Sequence, residues 1–178
     1  MNDVENSNTI RVLQFIEQNP GSHLRQIKKE LKISMGTVQY HLQLLEREGK
    51  IVSEKQNLFR HYFPVGLFEH NEKTILKILK QETARELLML IIERSNPTQT
   101  DLVNRLEISA ASVSLNLGKL IELGLISEIR DGKFKRYVLL EDPKIIVHLM
   151  KNYQVGIWNR WSNTLSEMFI SMAREDEK

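Results

Sequence analysis

Two stretches of the chain carry the same arrangement of apolar and polar positions. In LKISMGTVQYHLQLLEREGKI, Leu31 and Ile33 close one apolar segment, and Val38, Leu42 and Leu45 then recur at i, i+4 and i+7 before Gly49 and Ile51. That spacing puts one face of a helix into a core. Ser34 precedes the run and is placed to cap the helix it opens. The opposite face carries Gly36, Thr37, Gln39, Tyr40, Gln43 and Arg47, mostly small and neutral side chains with donor and acceptor groups. Strand-like text follows at once: Ile51 to Lys55, a polar break at Gln56 and Asn57, then Leu58 to Phe63 with Arg60 and His61 among aromatic residues, which predicts a β-hairpin.

Displacing the chain by 75 positions, without a gap, lays Leu31 on Leu106, Ile33 on Ile108, Ser34 on Ser109 and Val38 on Val113. Leu42 then meets Leu117, Leu45 meets Leu120, Gly49 meets Gly124 and Ile51 meets Ile126, and in the hairpins Phe59 meets Phe134 and Tyr62 meets Tyr137. Solenoid repeats run about 20 to 50 residues, so a period this long means two copies of one small domain. Helix, turn, helix, hairpin is the order of a winged helix. The pattern therefore predicts a mostly α fold with small β-hairpin wings: two tandem winged helix-turn-helix domains and a long C-terminal helix.

ISMGTVQYHLQLLEREGKI resembles the recognition helix of archaeal and bacterial winged-helix transcription regulators of the ArsR and MarR kind. In that pattern a Ser or Thr precedes a Val, a His-Leu pair and a Leu-x-x-x-Gly-x-Ile ending. The second copy is more similar still to the ArsR family, with Asp131-Gly132 as the signal for a primed two-residue turn at its wing tip. The likeness covers roughly residues 8 to 140. It implies double-stranded DNA as partner and, for His41, which matches the His of the His-Leu pair, a hydrogen bond near phosphate or the helix end. The chain departs from metal-sensing members in having no cysteine, which excludes thiolate metal sensing and disulfides.

In chain order, Asn6, Ser7 and Asn8 offer caps for a first helix that Asn19-Pro20-Gly21 stops, and Ser22 offers the cap of a short helix. That helix turns Leu24, Ile27 and Leu31 inward and Arg25, Lys28, Lys29 and Lys32 outward, where they either touch phosphates or form an ordinary solvated face. An apolar linker expected to pack, VGLFEHN, separates the domains. Helical text then begins at Asn71 or Thr83, Thr98 caps residues 99–106, and Ser109 caps the second recognition helix. Asp142 and Pro143 open a last helix whose stripe of Ile146, Met150, Tyr153, Ile157, Trp161, Leu165, Met168 and Met172 is widened by Trp158 and Phe169. Such a stripe either packs on its own domain or joins two subunits, and its tryptophans and methionines favour a homodimer. The expected domains are 1–64, a linker at 65–71, 72–141, and a C-terminal helix at 142–178.

The net charge is only +2, nearly even by region, so any nucleic-acid footprint is local. In the first copy Ser34, Gly36, Thr37, Gln39, Tyr40, His41, Gln43 and Arg47, with Arg60 of the wing, are the expected DNA contacts. The second copy's outward face, Ala111, Ser112, Ser114, Leu115, Gly118 and Glu122, is chemically quieter. It offers Ser112 and Ser114, and its wing offers Arg130, Lys133, Lys135 and Arg136 against Asp131. The histidines lack the i, i+3 or i, i+4 spacing of a helical metal site, and no phosphate loop or nucleophile motif is visible, so neither a metal, a cofactor nor an enzyme activity is expected. No apolar run approaches 18 residues, so a soluble, cytoplasmic protein off the membrane is expected. The leading reading is a sequence-specific DNA-binding transcription regulator. Its alternatives are a winged-helix protein-interaction module of the transcription machinery, which should show acidic or broadly apolar reading faces, and a nonspecific chromatin binder, which the near-neutral charge disfavours.

Overall fold

A computed structural model describes residues 2–56, 58–153 and 166 of the 178-residue chain. The elements run α1 (Asn2–Gln18), β1 (Ser22–His23), α2 (Leu24–Leu31), α3 (Met35–Arg47), β2 (Ile51–Gln56), β3 (Phe59–Pro64), α4 (His70–Leu79), α5 (Glu82–Arg94), α6 (Gln99–Leu106), α7 (Ala110–Glu122), β4 (Ile126–Asp131), β5 (Phe134–Leu139) and α8 (Pro143–Tyr153). The chain divides into two compact units, Met1–Lys77 and Ile78–Lys178. Each contains three helices followed by a hairpin, the winged helix-turn-helix order.

In the first unit Val12 and Ile16 of α1, Ile27 of α2, Val38, Leu42 and Leu45 of α3, Ile51 of β2 and Tyr62 of β3 form one buried core. Fully burying each large aliphatic side chain is worth about 1.5–3 kcal/mol, so this cluster fixes how α3 lies on α1 and α2. The wing is a three-stranded antiparallel sheet in the order β1-β3-β2, with Ser22 opposite Tyr62, His23 opposite His61 and Lys55 opposite Arg60. Its short strand β1 ties the wing to the start of α2.

The repeat extends to the backbone. Lys32, between α2 and α3, and Glu107, at the equivalent place between α6 and α7, both stand at φ 55, a left-handed conformation that non-glycine residues rarely adopt. α3 and α7 also end alike. Gly49 and Gly124 have φ 68 and 71; Lys50 N–H donates to the Leu45 carbonyl and Leu125 N–H to the Leu120 carbonyl, both at 3.0 Å. This is the Schellman ending, and it aims the chain into β2 and β4 alike.

Three local expectations are corrected. α1 begins at Asn2 rather than at a cap among residues 6–8, so Asn8 lies inside it, its Oδ1 accepting from Arg11 Nη1 (3.0 Å) along the helix surface. Ser22 does not cap α2: it lies in β1 and its Oγ donates to the Asn19 carbonyl (2.6 Å), while His23 is the cap and its Nδ1 accepts from Gln26 N–H (3.3 Å). In the second wing Asp131 pairs with Phe134, so the turn residues are Gly132 and Lys133, with Gly132 at φ 60. Glycine first is the requirement of the primed II′ turn.

The caps of α3 and α7 follow the sequence. Ser34 Oγ accepts from Thr37 N–H (3.1 Å) and Ser109 Oγ from Ser112 N–H (3.2 Å), and Thr98 with Asp101 forms a reciprocal capping box on α6. The linker packs in part: Phe68 is buried edge-on to Phe63, while Val65 and Leu67 stay exposed. α8 is described to Tyr153, with Ile146, Val147, Leu149 and Met150 already buried within this one chain. The rest of the expected C-terminal helix, including Trp158 and Trp161, lies outside the described residues.

Candidate nucleic-acid interface

The core pattern that buries Val38, Leu42 and Leu45 leaves Gly36, Gln39, Tyr40, Gln43 and Arg47 exposed on the other side of α3. A Cβ at Gly36 would meet nothing within 4 Å, so the helix surface there is flat and open to close approach. Thr37 is half-buried and its hydroxyl lies 2.7 Å from Ser34 Oγ, so both hydroxyls are engaged in starting the helix. The face available to a groove is thus Gly36, Gln39, Tyr40, Gln43 and Arg47.

His41 does not join them. It is 2 % exposed, and its Nδ1 lies 2.9 Å from Thr9 Oγ1 of α1, so it faces the interior of the unit rather than a phosphate. The helical step from Tyr40 explains this: position 41 falls between Val38 and Leu45 on the inward face. Tyr40 packs edge-on against the His41 ring at 5.2 Å, so the buried imidazole supports the exposed phenol.

Arg25, Lys28, Lys29 and Lys32 of α2 and the turn, all exposed, line one open groove of about 540 Å³ together with Ile33 and Met35 at the start of α3. Four cations and the N-terminus of a 13-residue helix therefore meet on one surface, an electrostatic setting for phosphate. The wing is held against this surface through contacts that the sequence did not reveal. His23 stacks on Phe59 at 5.1 Å, the Arg25 guanidinium sits 5.9 Å from the Phe59 centroid, and His61 Nδ1–H donates to the Gly21 carbonyl (2.8 Å). Partners in such contacts lie far apart in the chain, and no local pattern marks them. Arg60 is exposed, with Nη1 donating to Ser53 Oγ across the hairpin (3.2 Å).

The second unit presents different chemistry on the same frame. Ser112 is half-buried and its carbonyl accepts from Asn116 Nδ2 (2.9 Å), Ser114 is exposed, and Leu115 is 76 % exposed. Among the wing cations, Lys135 Nζ is 2.9 Å from Glu128 and Arg136 Nε 2.6 Å from Asp131, while Lys133 lies over the Phe134 ring at 5.4 Å. The expectation of four cations opposed by Asp131 alone is corrected by Glu128, which stands opposite Tyr137 on the neighbouring strand, two positions along from the partner of Lys135, and meets Lys135 diagonally. Arg130 and Lys133 are exposed beside these pairs.

Known proteins resemble this arrangement. A family model described as an N-terminal HTH domain matches residues 6–76. An uncharacterised HTH-type transcriptional regulator of Methanocaldococcus jannaschii is 28 % identical over 130 residues, 73 % of this chain and 32 % of that protein. The chain thus spans about a third of the length of the curated relative it matches. Among solved structures, an ArsR-like transcriptional regulator from Rhodococcus sp. RHA1 is 21 % identical with a TM-score of 0.37, covering 55 % of this chain and 89 % of that one. A MarR family protein from Bacillus stearothermophilus is 16 % identical with a TM-score of 0.39, covering 82 % and 99 %.

Proposed function

We infer that the chain is a transcription regulator that binds double-stranded DNA and reads its sequence mainly with the first unit. The observation that carries this reading is the junction on one unit of an exposed, neutral, amide-bearing face of α3 with the cationic groove of α2. Amide side chains such as Gln39 and Gln43 meet adenine N6 and N7 in a bidentate way in the major groove, whereas lysines and arginines on the phosphates fix register without reading sequence. Arg60 in the first wing, and Arg130 and Lys133 in the second, add backbone or minor-groove contacts. The work of such a regulator is done where the DNA is, which fits a cytoplasmic location. Among the described residues no helix is long and apolar enough to cross a membrane.

Selection of bound duplexes from a randomised pool is the direct test. Enrichment of one motif by the full chain, lost or broadened in Gln39→Ala/Gln43→Ala, is the expected result; a pool that stays random would refute sequence reading. A homodimer through the segment after Pro143 belongs to the same proposal, supported by its apolar stripe. Because α8 buries Ile146, Val147, Leu149 and Met150 inside the chain, the informative truncation ends at Tyr153. Sedimentation should find it monomeric where the full chain is dimeric.

One observation favours a second role for α7. Leu115, 76 % exposed, stands where the first copy has Tyr40, and Glu122 where it has Arg47, so the face is apolar and acidic rather than polar and basic. Such a face fits protein contact within a regulator better than phosphate contact.

A further inference from the structure

The first wing ends in a residue that no backbone-contact role explains. Leu58, in the turn between β2 and β3, is 92 % exposed, and it follows a strand end that carries a cation on each side of the hairpin: Lys55 and Arg60, paired in register and both exposed. Phe59 beside it is stacked on His23 beneath Arg25, and β1 adds a third strand, so the tip is carried on a braced hairpin fixed to the α2 end of the unit. The second wing has glycine and lysine at the same place and only two strands.

We propose that Leu58 is an apolar wedge that enters the DNA minor groove, partly unstacks one base step and bends the duplex. This inference rests on the reading that the first unit binds double-stranded DNA. A large aliphatic group on a hairpin tip is costly to leave in water, and the low-energy place for it in a DNA complex is between base pairs, where the stack replaces solvent. Minor-groove proteins use Leu, Ile, Met, Phe or Pro in this way and bend DNA by about 20–90°. Lys55 and Arg60 suit the two phosphate strands that flank a minor groove, which fixes where the tip points. The consequence for recognition is a sequence preference without hydrogen bonds to base edges: pyrimidine–purine steps unstack most readily, so the wing's position in the site selects TA or CA/TG.

The test uses the full chain and its selected duplex, labelled at both ends for energy transfer, with binding followed separately by anisotropy. Wild type should shorten the end-to-end distance on binding. Leu58→Ala should bind within about tenfold of wild type, since wedge burial and unstacking cost are lost together, but leave the duplex straight. A single unpaired base at the wing's step should tighten wild type several-fold and leave Leu58→Ala unchanged. Because the side chain is almost wholly exposed, the variant keeps its fold, and an unchanged thermal midpoint verifies this. Binding without shortening by wild type, or equal shortening by Leu58→Ala, overturns the wedge while the DNA-binding reading stands. Absence of any DNA binding by wild type overturns that reading, and the wedge with it.

Discussion

Removing the α2 cations while keeping the fold separates electrostatic positioning from base reading. Arg25, Lys28, Lys29 and Lys32 are exposed, and none belongs to the core cluster, so Arg25→Gln, Lys28→Gln, Lys29→Gln and Lys32→Asn change charge without opening a cavity. Asparagine is chosen at 32 because it tolerates the left-handed backbone there. Each cation on a phosphate contributes about 0.9 to the slope of log K against log salt on B-DNA, so four contribute about 3.6. Between about 50 and 200 mM salt that slope alone changes affinity by roughly 150-fold, so the advantage of wild type over the variant should shrink by that factor across the range. The second wing is the internal control. With Lys135 and Arg136 held by Glu128 and Asp131, alanine at Lys133, Lys135 and Arg136 together should lower the slope by about one unit rather than nearly three. Fluorescence anisotropy titrations at four salt concentrations measure both. A quadruple variant whose slope matched wild type within about half a unit would show that α2 does not lie on the phosphates, and the site would have to be redrawn.

Other expectations follow from the same geometry. Gln39→Ala and Gln43→Ala should each cost about 1–3 kcal/mol of discrimination on the selected site, leaving the salt slope unchanged, as competition titrations against mismatched duplexes would register. Lys32→Gly and Glu107→Gly should each stabilise the fold by about 0.5–1 kcal/mol, because relief of roughly 1–2 kcal/mol of left-handed strain exceeds the added unfolded-state entropy of glycine; denaturant midpoints test this. Glu54 is pushed up by burial but pulled down further by Lys77 (3.0 Å) and Lys73 (3.3 Å), so its carboxyl titrates below its ordinary 4.5. Since the folded form binds that proton less readily, its stabilisation is present above about pH 4.5 and is lost as pH falls through the lowered value. Glu54→Gln should therefore flatten the acid limb of a stability-against-pH curve, and a limb as steep as wild type would count against the Lys73–Glu54–Lys77 cluster.

Elements with a strong local cause were legible in the sequence. Val38, Leu42 and Leu45 buried α3 as their spacing requires, and Ser34, Thr98 and Ser109 capped the helices they precede, because a cap needs only its own next three residues. What was hidden depended on partners far along the chain. Ser22 reads as a cap until β3 arrives to pair with it, at which point His23 takes the capping role. The family resemblance puts His41 near phosphate or the helix end, because it matches the His of the His-Leu pair. Its burial is set by α1, and the hydroxyl that meets it is Thr9, 32 positions away. The α2 cations were visible as a run, but their convergence with Ile33 and Met35 into one groove depends on the left-handed turn at Lys32.

That turn also separates what the two copies share from what divides them. Lys32 and Glu107, Gly49 and Gly124, and the caps Ser34 and Ser109 keep the backbone of both units in register, so neither copy has lost the frame that presents a reading helix. The side chains on that frame differ in sign and polarity: Tyr40 against Leu115, Gln43 against Gly118, Arg47 against Glu122. Loss of the fold in the second copy would have relaxed the caps and the core; instead the outer face of the helix differs while Val113, Leu117 and Leu120 remain buried. A surface altered while its support is retained fits a face adapted to another partner rather than one released from use. Grafting Tyr40, Gln43 and Arg47 onto 115, 118 and 122 therefore puts polar groups on an intact scaffold. It should keep the fold and, because Gly118→Gln removes a mid-helix glycine, raise stability by about 0.5–1 kcal/mol, and it should raise DNA affinity of the second unit. A graft that folds yet gains no affinity would place the obstacle in the paired wing charges.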